Sequence, residues 1–178
     1  IGLARLCRAL QYYGLIKNYG SAPWYSAPIA TDDEEALYKT QDSRSLVVDS
    51  VMADLQYACD YMQEGSSRTR VTRYAALGYM ARIALHEGTF RKYHEEISEL
   101  AGTVNSFLEK AVWATDEIMS SGQFEITGKG AAAYRDLFTN PDLSKNKEMI
   151  LFSDYDKDLN RKNNTSTVLN WQWNLSRS

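Results

Sequence analysis

The sequence has few residues of the types that build metal sites and active sites. Only two histidines and two cysteines occur among its 178 residues. His86 and His94 are eight positions apart and have no neighbouring cysteine, which is not a spacing typical of zinc ligands. No Gly-x-Ser-x-Gly nucleophile motif is present, and the glycines around Gly128 lack the rest of a phosphate-binding loop. We therefore predict that the chain holds no metal and no cofactor and is not an enzyme.

A surplus of positive charge and a long apolar run are also missing. The chain has 20 basic and 23 acidic residues, for a net charge of -3. Because no basic excess is available to neutralise phosphates, we expect no nucleic-acid partner. No stretch reaches the roughly 20 apolar residues that a membrane-spanning helix needs. The two cysteines, Cys7 and Cys59, lie on apolar faces of predicted helices, so we expect both to be buried free thiols, with a disulfide as the less favoured alternative.

A helical period is strongest between Thr72 and Gly88, where apolar residues recur every three or four positions. Thr72 is the predicted N-cap, and Gly88 is expected to end the helix in a left-handed conformation. Small residues, with Gly78 among them, favour close approach of neighbouring helices. This pattern predicts the inner helix of a helical stack, with a close helix crossing at Gly78.

Other segments show weaker but readable patterns. Three more helices are predicted, over about residues 3–19, 45–62 and 106–120, and a capping box of Ser106 and Glu109 opens the last one. Between them lie a long connecting loop and a charged amphipathic piece, about residues 21–41 and 91–100. Beyond Gly122 the pattern predicts short strands over residues 123–127 and 148–154 and a short helix over residues 131–138. It also predicts a polar stretch over residues 157–167 and a strand-like end over residues 168–178.

These elements predict a mostly α fold. The first four helices are expected to pack as two antiparallel pairs, in a degenerate stack like that of tetratricopeptide repeats. Residues 1–127 would form this scaffold. Residues 128–178 would form an irregular, partly β segment that continues into an unseen remainder, with one domain overall.

Aromatic residues outside the helical period are the main functional signal. Flat aromatic faces stack on sugar rings, and nearby polar groups supply hydrogen bonds. Packing against the core or an interface is an open alternative for each of them. The candidate carbohydrate-binding residues are Trp24, Tyr25, Tyr155, Trp171 and Trp173.

The acidic cluster from Asp32 to Glu35 raises the question of a glycoside hydrolase, because such enzymes use two carboxylates at a set separation. Contiguous carboxylates on a polar loop are usually only solvated. A glycoside hydrolase and a helical protein-interaction scaffold remain the alternatives to a glycan-binding protein.

Five groups of residues occur in the order known from one protein family. They are Arg8-Ala9 with Tyr13, Leu15, Tyr19-Gly20 and Pro23; Asp54-Leu55 with Ala58; Arg70-Val71-Thr72-Arg73 with Ala75-Ala76, Ala81-Arg82, Leu85 and Gly88; Ser121-Gly122 with Phe124; and Leu137-Phe138 with Asn146, Glu148, Ile150 and Phe152. On these motifs the chain resembles the SusD/RagB family, the surface glycan-binding lipoproteins of the Bacteroidetes outer membrane.

The resemblance implies tetratricopeptide-like helix pairs and non-catalytic glycan binding in nutrient uptake. It also implies a partner, a SusC-like TonB-dependent outer-membrane barrel. Family members are longer and begin with a lipidated cysteine, so we expect this chain to be an internal fragment. Its membrane contact would then be only through a lipid anchor outside this stretch. Glycan-contacting residues vary within the family, and none is transferred to this sequence.

Overall fold

The computed structural model describes residues 1–153 apart from Ala101, Thr127, Lys129 and Pro141. Within this part of the chain it contains six α-helices and one short 3-10 helix, Ser98–Leu100. The helices are α1 (Gly2–Tyr19), α2 (Glu34–Leu37), α3 (Arg44–Tyr61), α4 (Arg73–Tyr93), α5 (Val104–Ser120) and α6 (Ala131–Thr139). The described residues contain no β-strand, and their one isolated bridge joins Ala22 to Asp42. The predicted mostly α fold is therefore confirmed.

Helices α1 and α3 form the first antiparallel pair. A guanidinium nitrogen of Arg44, at the start of α3, lies 3.5 Å from the carbonyl oxygen of Ile16, near the end of α1. At the other end, Gly2 lies close to Met62, just beyond α3. Buried apolar side chains line the seam, and each fully buried valine, leucine or isoleucine among them stabilises the fold by about 1.5–3 kcal/mol. They include Leu6, Ala9, Tyr13, Ile16, Val47, Val48, Val51 and Leu55.

Helices α4 and α5 form the second antiparallel pair. Arg73, which begins α4, forms an ion pair of 2.7 Å with Glu117 near the end of α5. Near the opposite ends of the two helices, Gly88 packs against Leu108. Arg73 also donates to the Cys59 carbonyl at 2.7 Å and so ties the end of α3 to the start of α4. The α3 and α4 helices are consequently the two central helices of the stack, as predicted for α4.

The close helix crossing lies at Gly88 rather than at Gly78. A Cβ atom on Gly88 would lie only 2.8 Å from Leu108 Cδ2, whereas one on Gly78 would be 3.9 Å from its nearest neighbour, Ile150 Cδ1. Gly88 is helical, and α4 continues to Tyr93, so the prediction that Gly88 ends the helix is wrong. Thr72 occupies the N-cap position, but its side chain makes no capping hydrogen bond.

The predicted capping box of α5 is also wrong. The helix begins at Val104, and the hydroxyl of Ser106 donates to the Thr103 carbonyl at 2.8 Å, which is a bond within the first turn. Gly122, with φ of 65°, follows the end of α5 as expected, and α6 matches the predicted helix over residues 131–138.

The predicted strands do not form in the part of the chain that the structure describes. Residues 123–126 and 148–153 have no strand pairing. The amide of Phe152 instead donates to the Arg68 carbonyl at 2.9 Å, as a single loop contact. The predictions for residues 157–167 and 168–178 lie outside the described residues. The division at residue 127 stays a prediction.

The two cysteines differ in environment. Cys59 is buried in the core, as expected, but Cys7 is exposed. Cys7 lies beside Leu3 on a stripe of α1 that turns away from α3, and Leu3 is itself half exposed. Both thiols are free. Among the described helices none combines the length and the hydropathy required to cross a bilayer.

Candidate functional site

The loop that joins α1 to α3 contains the two candidate aromatics that the structure describes, Trp24 and Tyr25. Gly20 ends α1 with φ of 81°, a value that favours glycine, and its amide donates to the Ile16 carbonyl. The bridge between Ala22 and Asp42 closes the base of the loop. The loop is thus anchored at both ends to the rigid α1–α3 pair.

Trp24 packs against α1 at the base of this loop. Its ring is half-buried, and its centroid lies 4.4 Å from that of Tyr12 on α1, at an angle of 52°. The guanidinium carbon of Arg8 lies 4.9 Å from the centre of the Trp24 ring, within the range of a cation–π contact. The Trp24 amide donates to Asp42 Oδ2 at 2.7 Å. Packing therefore accounts for much of the Trp24 surface.

Tyr25 is fixed by hydrogen bonds at its backbone and at its tip. Its amide donates to the hydroxyl of Tyr12 at 3.0 Å, and its own hydroxyl donates to the Ala36 carbonyl in α2 at 2.5 Å. The ammonium group of Lys39 lies 5.5 Å from the centre of the Tyr25 ring. The tyrosine ring is thus held in one orientation, as stacking on a ligand requires.

A shallow pocket of about 420 Å³ opens where Tyr25 meets α1. We call it the Tyr12–Tyr25 pocket. Its lining consists of Arg8, Tyr12, Tyr25 and residues 26–29. The lining combines two phenol rings, the ring of Pro28 and one guanidinium. Flat apolar faces next to a few polar groups can bind a sugar ring through stacking and hydrogen bonds.

The guanidinium of Arg8 is held in place by the buried carboxylate of Asp54 on α3. Arg8 Nε and Nη2 donate to the two Asp54 oxygens at 2.6 and 2.8 Å, a bidentate geometry. Arg8 Nη1 donates to the Ser26 carbonyl at 2.9 Å and so positions the pocket wall. The hydrogen bond to Asp54 is the main cause that raises the pKa of Arg8.

Asp42 fixes the other side of the loop. It accepts hydrogen bonds from Lys39 Nζ at 2.6 Å and from the Trp24 amide at 2.7 Å. These two bonds, the one from Lys39 first, lower the pKa of the Asp42 carboxyl. Lys39 Nζ also donates to the Trp24 carbonyl at 3.1 Å. Lys39 therefore links the two ends of the loop, at Trp24 and at Asp42.

Two residues of the acidic cluster, Asp32 and Asp33, precede the short helix α2, and the other two, Glu34 and Glu35, are its first residues. Asp33 is its N-cap and accepts a hydrogen bond from the Ala36 amide at 3.0 Å. All four carboxylates from Asp32 to Glu35 are exposed. A general acid of a glycosidase needs an environment that keeps it protonated, commonly an apolar pocket. The position of this cluster offers no such environment.

Sequence reasoning missed Arg8 and Tyr12 as pocket residues. They are four positions apart on α1 and therefore share one helix face, next to the loop that Gly20 begins. Their spacing was the available signal, but Tyr12 fits the helical period and so does not stand out. The other three candidates, Tyr155, Trp171 and Trp173, lie outside the described residues.

No group of three potential metal ligands occurs in the described part of the chain. The two histidines have other contacts there. His86 Nδ1 lies 2.7 Å from the hydroxyl of Tyr13, and His94 Nδ1 lies 2.8 Å from the Phe90 carbonyl oxygen.

The described residues form a stack of helix pairs with a small pocket, lined by aromatic side chains, at the loop between α1 and α3. The chain is similar to two proteins of Formosa agariphila. It is 33% identical to SusD-like protein P2 over 95 residues, which are 52% of this chain and 18% of that protein. It is 27% identical to SusD-like protein P25 over 158 residues, or 87% of this chain and 25% of that protein.

These two matches confirm the resemblance carried by the motifs and support membership of the SusD-like family. The chain spans between about a fifth and a quarter of the length of these curated relatives. No family model matches the chain. No solved structure matches it either.

Proposed function

We propose that this chain is part of a surface glycan-binding protein that binds an oligosaccharide or polysaccharide without cleaving it. The observation that carries the proposal is the similarity to a SusD-like protein over 87% of the chain. The antiparallel helix pairs agree with it, because the family resemblance implies such pairs.

We assign the described part of the glycan site to the Tyr12–Tyr25 pocket. Tyr25 offers a ring that is fixed at both ends, and Tyr12 and Pro28 offer further flat surfaces next to it. Trp24 supports this surface from below through its contact with Tyr12. Tyr155, Trp171 and Trp173 remain proposed contributors. Because loops present binding groups on a rigid scaffold, the α1–α3 connection suits this role.

The test is a glycan array probed with the full-length protein, combined with product analysis of every glycan that binds. We expect binding of at least one glycan and no change in its chain length. Release of reducing sugar by the purified protein would instead support the glycoside hydrolase alternative, whose candidate groups are the carboxylates from Asp32 to Glu35.

The proposed destination of the glycan is a SusC-like, TonB-dependent transporter in the outer membrane. In this proposal the full-length protein sits on the cell surface, held by a lipid anchor outside this stretch. Purification of the tagged full-length protein from detergent-solubilised outer membranes should recover such a barrel in a stoichiometric amount. Recovery of the tagged protein alone would argue against the partnership.

A helical protein-interaction scaffold is the second candidate function. Large apolar side chains are exposed on the outer face of α5, where Val112 and Met119 are 58% and 65% accessible. Exposed apolar surface of this kind is common at protein contacts. If the full-length protein binds no glycan on the array but still recovers a protein partner, the scaffold becomes the better description.

A further inference from the structure

The charges around the Tyr12–Tyr25 pocket indicate which class of glycan it takes, an inference that rests on the proposed function. The two cations closest to the aromatic rings are already paired. Arg8 is engaged by both oxygens of Asp54 and by the Ser26 carbonyl, and Lys39 is engaged by Asp42 and the Trp24 carbonyl. A carboxylate or sulfate on a ligand would have to compete with these partners.

A third cation, Arg5, belongs to the same cluster but does not line the pocket. Its guanidinium lies 3.8 Å from the same Asp54 carboxylate and 4.0 Å from the centre of the Tyr57 ring. Arg5 is therefore directed to α3 by an ion pair and a cation–π contact.

Negative charge dominates the loop that carries the pocket. Residues 21–43 contain five carboxylates and one lysine. Four of the five are contiguous and exposed, from Asp32 to Glu35. The hydrogen bond from the Tyr25 hydroxyl to the Ala36 carbonyl ties this acidic helix directly to the pocket wall. An anionic ligand that stacks on Tyr25 would therefore approach a cluster of like charges.

The remaining groups of the pocket suit an uncharged ligand. The Tyr12 hydroxyl accepts a bond from the Tyr25 amide and still has its own hydrogen to donate. The phenol rings, Pro28 and Ile29 supply apolar faces. Hydroxyl groups of a sugar can exchange hydrogen bonds with such neutral partners, and its C–H face can rest on the rings.

We propose that the Tyr12–Tyr25 pocket selects uncharged saccharides and discriminates against glycans that carry uronate or sulfate groups. The discrimination comes from the exposed carboxylates of α2, beside a pocket whose one lining cation, Arg8, is already engaged by Asp54.

The test compares two probes on the full-length protein by calorimetry. One is the neutral hexose oligosaccharide with the strongest array signal, and the other is the same oligosaccharide oxidised at C6 to its uronate. We expect the neutral probe to bind about tenfold more tightly at low salt. This difference should shrink as salt rises, because exposed charges are screened.

Two variants assign the effect to α2. The double variant Glu34→Gln/Glu35→Gln should improve binding of the oxidised probe about two- to fivefold and leave the neutral probe unchanged. The matched control Glu109→Gln/Asp116→Asn removes the same charge from exposed positions on α5, at the other side of the stack, and should change neither. An equal or tighter affinity for the oxidised probe in the unmodified protein would overturn the proposal.

A blocking variant separates this inference from the proposed function. Ala27 is exposed and lines the pocket, so Ala27→Trp should fill the pocket without disturbing the core. We expect loss of binding of the neutral probe at an unchanged melting temperature. Full binding by Ala27→Trp would show that glycan binds elsewhere, which overturns the inference and leaves the proposed function standing. Absence of all glycan binding by the unmodified protein overturns both.

Discussion

Glu87 on α4 is a fully buried carboxylate that lies between two buried arginines. Arg44 donates to it from Nη2 at 2.7 Å and from Nε at 3.1 Å, and Arg91 donates from Nε at 2.9 Å. The guanidinium of Arg44 also lies 3.8 Å from the centre of the Phe90 ring. This network joins the start of α3 to the end of α4.

Removal of the Glu87 charge should therefore lower the stability of the fold. Glu87→Gln leaves two buried guanidinium groups without their counter-ion, and breaking a buried ion pair from one side costs about 3–5 kcal/mol. We expect a decrease of this size in the free energy of unfolding, measured by urea denaturation. Glu99→Gln, at an exposed carboxylate, is the control and should change it by less than about 0.5 kcal/mol.

The same network predicts how stability depends on pH. Burial alone would raise the pKa of Glu87, but the hydrogen bonds and charges of Arg44 and then Arg91 outweigh it and lower the pKa. Since the folded-state pKa lies below the unfolded value of about 4.3, this stabilisation is complete above that value. It is lost as the pH falls through the folded-state pKa. The acid limb of the stability curve should be shallower in Glu87→Gln, and an unchanged limb would contradict this assignment.

Tyr25 and Trp24 should respond differently to replacement by alanine. Tyr25→Ala removes the proposed stacking face, so glycan binding should weaken about 5- to 150-fold, as for the loss of about 1–3 kcal/mol of stacking. Trp24→Ala removes the packing of a half-buried ring against Tyr12 and Arg8 and should mainly reduce stability, by less than the roughly 3–5 kcal/mol that a fully buried tryptophan contributes. Calorimetry and thermal melts measure the two effects. A larger loss of affinity in Trp24→Ala, at unchanged stability, would instead identify Trp24 as the ligand contact.

At the scale of helices, replacement of two glycines in α4 by alanine is expected to change stability in opposite directions. Gly88→Ala would place a methyl group 2.8 Å from Leu108 Cδ2 and 3.0 Å from Leu108 Cγ, so the Leu108 side chain would have to leave its position between α4 and α5. Overpacking of this kind costs about 1–3 kcal/mol, and the gain in helix propensity recovers at most about 1 kcal/mol. We expect Gly88→Ala to lower the melting temperature.

Gly78→Ala is the matched comparison in the same helix. Its methyl group would lie 3.9 Å from Ile150 Cδ1, an ordinary van der Waals distance. Only the propensity gain then remains, and we expect an increase in stability of up to about 1 kcal/mol. Equal melting temperatures for the two variants would contradict the helix crossing at Gly88.

Periodicity was sufficient to predict the helices but not what their glycines do. Apolar spacing located α1, α3, α4 and α5 to within five residues at either end, because each of these helices buries apolar side chains at the helical period. A glycine late in a helical pattern fits both a helix end and a close crossing. Only the position of Leu108, 20 residues later, decides between them at Gly88. Helix α2, with four residues, is too short to show a period.

The candidate site was predicted in part for the same reason. Tyr25 was identified because it lies outside any helical period, and the structure places it at a pocket. Tyr12 was missed because a tyrosine in an amphipathic helix fits core packing equally well. Its hydroxyl becomes a partner of Tyr25 only when the chain turns at Gly20 and folds back. Such contacts depend on tertiary geometry, which one sequence does not contain.

At the scale of the whole molecule, the stack has central and peripheral helices. The α3 helix packs against both α1 and α4, and α4 packs against both α3 and α5. By contrast, α6 has no buried residue. We therefore expect amide hydrogens of α3 and α4 to exchange most slowly and those of α6 to exchange fastest, since local opening follows the buried contacts of each element.

Hydrogen exchange with mass spectrometry measures this order directly. The two helices of the first pair provide an internal comparison, because α1 packs mainly against α3 whereas α3 also packs against α4. Slower exchange in α6 than in α4 would show that another part of the protein covers α6.

The unequal burial of the two thiols gives the protein a natural attachment point for a reporter. Burial raises the pKa of the Cys59 thiol to about 12, and thiolate is the form that reacts with maleimides. Cys7 is exposed and directly precedes Arg8 on α1. A maleimide dye at neutral pH should therefore form a single adduct, at Cys7, as peptide mass spectrometry would show. Fluorescence from that position could follow ligand entry beside Arg8 without any engineered cysteine.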